Sequence, residues 1–280
     1  MSILIEQLTY AYMAGSAEAV TALADVSLTI GEGEFLGVIG HTGSGKSTFM
    51  QLLNGLLLPT GGSVVVDGFD TRDKKQCRSA RALVGLVFQY PEYQLFEETV
   101  ARDVAFGPKN LGLSEEEARA RALEALTLVG LDPARFAEKS PFDLSGGEKR
   151  RAALAGILAM RPKYLALDEP MAGLDPRGRR QVLALLQQLR QETGCTIIMV
   201  SHSMDDVARY AERIAVLDHG RLAMLGTPAA VFSEMETLRD MGLSVPQATT
   251  LAALLRARGF ALPAGIVRMD QLRDALTAGR

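Results

Sequence analysis

Residues 35–47 read Phe35-Leu36-Gly37-Val38-Ile39-Gly40-His41-Thr42-Gly43-Ser44-Gly45-Lys46-Ser47, an apolar run that empties into a glycine-rich loop closed by lysine and serine. The spacing Gly40, four residues, Gly45-Lys46-Ser47 is that of a phosphate-binding loop, where glycines let backbone N–H groups turn inward around phosphate oxygens. The apolar run predicts a strand, and residues 47–58 have helical character up to Pro59. Strand, loop and helix in direct succession place the positive end of a helix dipole beneath the anion. The reading therefore surrounds a nucleotide with Gly40, His41, Thr42, Gly43, Ser44, Gly45, Lys46, Ser47 and Thr48. Lys46 neutralises the β- and γ-phosphates and Ser47 offers its hydroxyl to Mg²⁺. His41, at a variable position of the loop, reads as a solvated side chain rather than a catalyst.

Before this stretch, short apolar runs alternate with acidic and glycine-rich turns such as Gly31-Glu32-Gly33-Glu34, which reads as antiparallel strands. After it, residues 63–66 and 84–88 form two more strand candidates. From Pro91 the texture turns helical, with Ser114 and Glu117 as a capping box ahead of the periodic Ala118, Ala122, Ala125, Leu126 and Val129. Residues 164–167 and Thr196–Val200 flank an amphipathic helix at Val182, Leu185, Leu186 and Leu189, a βαβ pattern that implies a parallel sheet. Residues 214–217 and 222–225 around Asp218-His219-Gly220 read as a hairpin. The expected fold class is α/β: a P-loop core with an N-terminal antiparallel β subdomain, an α-helical subdomain and a small C-terminal extension. Its expected segments are residues 1–90, 91–160, 161–225 and 226–280.

Composition narrows the function classes. Apolar residues make 48% and charged residues 22% of 280, which excludes a mainly disordered chain. With 30 basic and 33 acidic residues the formal charge is −3, so no global basic field holds a nucleic acid. The longest apolar run, residues 152–160, falls short of the roughly twenty residues a membrane span needs. No Lys or Arg precedes Lys46, unlike a secretory or transit leader, and the expected compartment is the cytoplasm. Cys77 and Cys195 form no disulfide framework and read as buried structural thiols.

Two further stretches carry chemistry. Tyr164-Leu165-Ala166-Leu167-Asp168-Glu169 is a buried-type strand ending in two carboxylates, Asp168 suited to a Mg²⁺ shell and Glu169 to taking a proton from attacking water. Leu144-Ser145-Gly146-Gly147-Glu148 opens a helix running through Arg150, Arg151 and Ile157, a second anion-binding helix start. Together with Gln89 after an apolar strand, Gly173-Leu174-Asp175, and His202 after the last core strand, this ordered set resembles the ATP-binding cassette (ABC) ATPases over about residues 1–230. The resemblance implies that two cassettes close head to tail, with ATP between the P-loop of one and the signature Ser145, Gly146, Gly147 and Glu148 of the other. It further implies that Tyr12 stacks on adenine, Gln89 senses Mg²⁺ and water, Asp175 couples the two sites and His202 grips the γ-phosphate.

Each of these residues also has a plainer reading. Tyr12 could be an ordinary strand aromatic with Tyr10 as its rival, Gln89 a surface amide, His202 a capping residue, and Asp175 a cap ahead of Pro176. Two positions depart from the family pattern: Glu148 stands where Gln is usual, adding negative charge near the partner's ATP, and Met171 stands where Thr is common.

The stretch from Phe88-Gln89-Tyr90-Pro91 to Glu97-Glu98-Thr99-Val100, with Asp103-Val104-Ala105-Phe106-Gly107-Pro108, resembles the energy-coupling factor (ECF) importers of vitamins and metal ions, and within them the second of the two paired ATPases. Asn54-Gly55-Leu56 and residues 155–160 point the same way. The resemblance implies a second ABC ATPase subunit, a transmembrane scaffold protein and a substrate-binding membrane protein as partners, no nucleic acid, and a peripheral position on the cytoplasmic face of the membrane. The alternatives are a cobalt/nickel or other ABC transporter ATPase and, further away, a soluble cassette acting on DNA or the ribosome. Tyr90, Tyr93, Leu95, Phe96 and Phe106, bounded by Glu92, Glu97 and Glu98, suit a groove with an acidic rim that receives a basic scaffold helix. The competing reading is that these aromatics fill the interior of the helical subdomain.

Overall fold

The computed structural model describes residues 1–278. In chain order, β1 (Ser2–Tyr12), β2 (Val20–Gly31) and β3 (Phe35–Ile39) lead to the glycine loop and α1 (Lys46–Leu53). β4 (Gly61–Val66), β5 (Phe69–Asp70), α2 (Lys74–Leu83) and β6 (Val84–Val87) follow, then four helices: α3 (Val100–Asn110), α4 (Glu115–Leu128), α5 (Pro133–Phe136) and α6 (Gly146–Leu158). β7 (Tyr164–Asp168), α7 (Pro176–Thr193), β8 (Thr196–Val200), α8 (Met204–Tyr210), β9 (Arg213–Asp218) and β10 (Arg221–Gly226) complete the sheets. The chain continues through α9 (Pro228–Ser233), α10 (Met235–Asp240), α11 (Gln247–Ala257) and α12 (Met269–Ala278).

Two sheets result. The antiparallel one runs β2-β1-β4-β5, and the larger one β10-β9-β3-β8-β7-β6, parallel from β9 to β6 with β10 returning antiparallel. Every residue of β3, β6, β7 and β8 is buried, which explains their unbroken apolar runs: a strand covered on both faces has no reason to alternate. The two faces feed two different cores. Phe35, Ile39, Leu165, Leu167, Ile197 and Met199 face the helical side, while Leu36, Val38, Ala166, Ile198 and Val200 face α1 and the antiparallel sheet. Period-two alternation thus survives as a choice between cores.

The helix after the glycine loop ends at Leu53, five residues short of the expected Leu58. Asn54 caps it and Gly55 turns left-handed at φ +71°, and the amides of Leu56 and Leu57 fold back on the Gln51 carbonyl. A Cβ on Gly55 would lie 2.9 Å from Cys77 Sγ, so this reversal depends on glycine. Cys77 and Cys195 are both free and buried, and burial pushes the Cys195 thiol up to about 12.

Beyond β10 the chain divides. Val231, Phe232 and Leu238 of α9 and α10 join the helical-side core, whereas Ala248, Ala252, Ile266 and Leu272 form a small separate core between α11 and α12. Among the described residues no helix is long and apolar enough to cross a membrane. The loops after β3, β6, β7, β8 and β9 all leave the same edge of the parallel sheet, the edge where open α/β sheets place their ligands.

Candidate nucleotide site at the sheet edge

The loop after β3 is packed too tightly for side chains at two of its glycines. A Cβ on Gly40 would lie 2.3 Å from the Leu217 carbonyl oxygen, and one on Gly45 would lie 2.6 Å from the Ala22 carbonyl while also needing φ +98°. Gly45 is the N-cap of α1, so its left-handed turn swings the chain into the helix. Lys46 is buried, and its Nζ donates to the carbonyls of Gly40 and His41, both at 2.8 Å. Desolvation lowers its pKa, with the carboxylates of Glu169 and Asp168 acting the other way. Tyr12 reaches the same helix start: its hydroxyl lies 3.0 Å from Thr48 Oγ1, and its ring is exposed, whereas Tyr10 packs on the core. Register shifts on either side of Tyr10 break the strict alternation of β1 and let the two tyrosines diverge, their rings edge to face at 4.9 Å.

Asp168, the last residue of β7, is buried; desolvation raises its pKa, opposed by a hydrogen bond from the Ser47 hydroxyl. A buried carboxylate beside a helix-start hydroxyl is a hard oxygen pair of the kind that suits Mg²⁺. Glu169 turns away from it, in a left-handed conformation at φ +51° that a non-glycine residue adopts only under constraint. That turn aims its carboxylate between two neighbours: Oε1 is 2.7 Å from His202 Nε2 and Oε2 accepts from Gln89 Nε2 at 3.5 Å. The structure thus brings Gln89, Glu169 and His202, from the ends of β6, β7 and β8, onto one carboxylate, with Lys46 and Asp168 alongside.

The signature turn lies apart. Ser145, Gly146 and Gly147 are exposed, and open space surrounds the Cβ position of Gly146. Ser145 is the N-cap of α6 in a reciprocal capping box, the Glu148 carboxylate accepting from the Ser145 amide at 2.8 Å and from its hydroxyl at 2.7 Å. These two bonds hold the Glu148 carboxyl below the usual range. The Glu148 carboxylate, expected to add negative charge beside a partner's ATP, is engaged within its own helix turn. Asp175 is the N-cap of α7, accepting from the Gly178 amide at 2.8 Å ahead of Pro176. It shares with Gly147 a cleft of about 650 Å³ between α6 and α7. Among the described residues no hydrogen bond or ion pair joins residues 145–148 to residues 40–48.

Arg150 escaped the sequence reading. It is buried, donates from Nε and Nη2 to the two carboxylate oxygens of Glu92 at 3.1 and 2.9 Å, and from Nη1 to the Ala172 carbonyl. It therefore ties the signature helix to the segment after Gln89 and to the loop after Glu169. Its spacing with Ala153, Leu154 and Leu158 places it on the apolar stripe of α6, and that was the available signal.

Residues 23–172 match the family model of the ABC transporters. The chain belongs to this family. Among curated relatives, the energy-coupling factor transporter ATP-binding protein EcfA2 of Clostridium perfringens is 53% identical over 99% of this chain and 97% of its own length. The EcfA2 of Symbiobacterium thermophilum is 54% identical over 99% and 96%. Of solved structures, cbiO1 from Clostridium perfringens, described as part of the ABC transporter complex cbiONQ, superposes at TM-score 0.73 with 38% identity, covering 90% of this chain and 98% of that one. A dimeric ATP-binding cassette in a post-hydrolysis state with ADP and Pi superposes at 0.72 with 33% identity over 81% and 98%. The cassette described here thus carries the ABC ATPase fold along with the ordered motifs.

Proposed function

We propose that this cassette binds and hydrolyses ATP as a subunit of an energy-coupling factor importer, at the cytoplasmic face of the membrane. Its likeness to EcfA2 proteins across nearly the whole length supports the transporter assignment. The observation that carries the hydrolytic part is the Glu169 carboxylate held between Gln89 and His202 at the sheet edge.

In this mechanism the backbone N–H groups of residues 43–48 and the Lys46 ammonium bind the phosphates, and Tyr12 stacks on the adenine. Ser47 and Asp168, with Gln89, would hold Mg²⁺, which would supply charge neutralisation to the phosphates. Glu169 accepts a proton from the attacking water, and His202 orients both Glu169 and the γ-phosphate. Ser145, Gly146 and Gly147 of a second cassette close over the γ-phosphate, and Asp175 reports that closure to the other site. Glu148 sets the Ser145 rotamer rather than touching ATP.

Coupling to a membrane scaffold runs through the segment after Gln89. Tyr93, Phe96 and Phe106 are 84, 57 and 43% exposed, which argues against interior filling, although Leu95 is buried. Phe96 and Phe106 pack edge to face at 4.9 Å in a groove of about 370 Å³. Of the acidic rim expected from the sequence, Glu92 is committed to Arg150 and Glu98 pairs with Arg102, while Arg78 and Arg81 line the groove with Asp103. Apolar anchoring on the two phenylalanines is the recognition this groove offers a scaffold helix. Residues 91–160 then swing as a unit when ATP binds, carried by the Arg150 links. Replacing Glu169 with Gln tests the hydrolytic assignment: the assembled complex should bind ATP and fail to turn it over, and wild-type turnover would overturn it.

A further inference from the structure

The chain has three histidines, and two of them, His41 and His219, converge beside the phosphate-binding loop. His41 leaves β3 and Asp218 ends β9, its parallel neighbour, so both stand at the same sheet edge. His219 follows at once, and one ligand atom from each of His41, Asp218 and His219 lies within 4.8 Å of the other two. Asp168 ends β7, beyond β8 on the opposite flank of β3, so this cluster is separate from the carboxylates of the nucleotide site.

The geometry around the His41 ring is the decisive feature. His41 Nδ1 lies 2.7 Å from the carbonyl oxygen of Thr42, a contact that only a donated ring proton makes favourable. The other ring nitrogen, Nε2, faces Asp218 Oδ1 at 3.2 Å. Both atoms are shut off from solvent and neither has a hydrogen-bond partner. Two buried polar atoms that face each other in this way call for a cation or a ring proton between them. An imidazole fixed through Nδ1–H to a carbonyl, with Nε2 turned toward an anionic oxygen, is also how proteins orient metal-binding histidines.

His219 supplies the third group at a conformational cost. It occupies the first position of a two-residue hairpin turn, φ +45°, followed by Gly220 at φ +76°, where the turn geometry favours Asn or Gly. Its ring lies 4.8 Å from that of His41, centroid to centroid, and its Nε2 is 3.9 Å from the same Asp218 oxygen. The side chain is exposed, so it is free to close the remaining distance.

We propose that His41, Asp218 and His219 bind a divalent transition-metal ion, Zn²⁺, Co²⁺ or Ni²⁺, with solvent completing the coordination. Two imidazole nitrogens and one carboxylate suit these borderline ions, whereas Mg²⁺ and Ca²⁺ seek oxygen-rich shells. Its consequence is mechanical. The Gly220 amide already donates to the Ser44 carbonyl at 3.2 Å, and an ion held by His41 and His219 clamps the turn to the phosphate-binding loop from a second point. The proposal does not depend on the transporter assignment.

The test uses the untagged full chain without nucleotide, titrated with Co²⁺ and followed by its visible ligand-field absorption, with Zn²⁺ as competitor. Wild type should take up one ion at this site and melt at a higher temperature when loaded. His219→Asn removes a ligand while leaving a residue the turn accepts, so it should fold and lose at least about tenfold in Co²⁺ affinity. His202→Gln should leave Co²⁺ uptake unchanged, which separates this site from the hydrolytic cluster. Equal affinity and spectrum in wild type and His219→Asn would overturn the proposal. So would a wild type that takes up no Co²⁺ or Zn²⁺.

Discussion

The sheet edge and the signature turn are both proposed as phosphate-binding helix starts, yet they are built in opposite ways. At the sheet edge, residues from four strand ends bond to one another: Lys46 to the loop carbonyls, Ser47 to Asp168, and Gln89 and His202 to Glu169. At the signature turn the polar groups bond only within their own helix start, and the glycines open to solvent. The first is a machine with its parts in contact, and the second is a surface whose polar groups have no hydrogen-bond partner beyond their own helix start among the described residues. On the proposed function, hydrolysis belongs to a pair of cassettes, each supplying the half that the other lacks.

The largest effect should come from the connected half. Glu169→Gln preserves volume and the contacts to Gln89 and His202 but removes the base, and ATP turnover by the assembled complex should fall by about 10²–10⁴. Single-turnover hydrolysis measures it; a loss of ATP binding instead of turnover would show that Glu169 is holding substrate rather than activating water. Lys46→Ala in the same assay should weaken nucleotide binding itself.

Next comes the link between the two regions. Glu92→Ala strands the buried Arg150 guanidinium and should destabilise the cassette by about 3 kcal/mol, read by urea unfolding. If stability hardly changes, the Arg150 bridge is dispensable and the two regions move independently. A smaller and purely functional effect is expected from Phe96→Ala with Phe106→Ala, both exposed: the fold and ATP binding should persist while recovery of the membrane complex by co-purification drops. Undiminished assembly would remove the groove as the docking surface.

The smallest effect tests the signature turn alone. Glu148→Gln keeps an acceptor at the third helical position but weakens the hold on the Ser145 hydroxyl, so turnover should change by no more than a few-fold, with stability nearly constant. A hundredfold change would mean that Glu148 meets ATP directly.

The chain's motifs were legible because each is local: a glycine loop, a strand ending in Asp168-Glu169, a serine with glycines at a helix start. The buried strands were legible too, since apolar runs on both faces leave no alternation to misread. What escaped depends on contacts between distant segments. The helix after Lys46 stops at Leu53 because Gly55 must pass Cys77, more than twenty positions away. Glu92 read as a rim charge because its partner Arg150 lies on another helix, and His41 read as solvated because Asp218 and His219 arrive from β9. The capping box of Ser145 and Glu148 was local and readable; the glycines between them drew the reading toward phosphate instead.

The central claim is that one chain carries two half-sites, and light scattering of the Glu169→Gln protein with its companion cassette, with and without ATP, tests it most directly. ATP should convert monomers into a dimer, and turnover by the wild-type pair should rise faster than linearly with protein concentration. A chain that stays monomeric with ATP bound and hydrolyses it at a rate strictly proportional to its concentration would contradict the account.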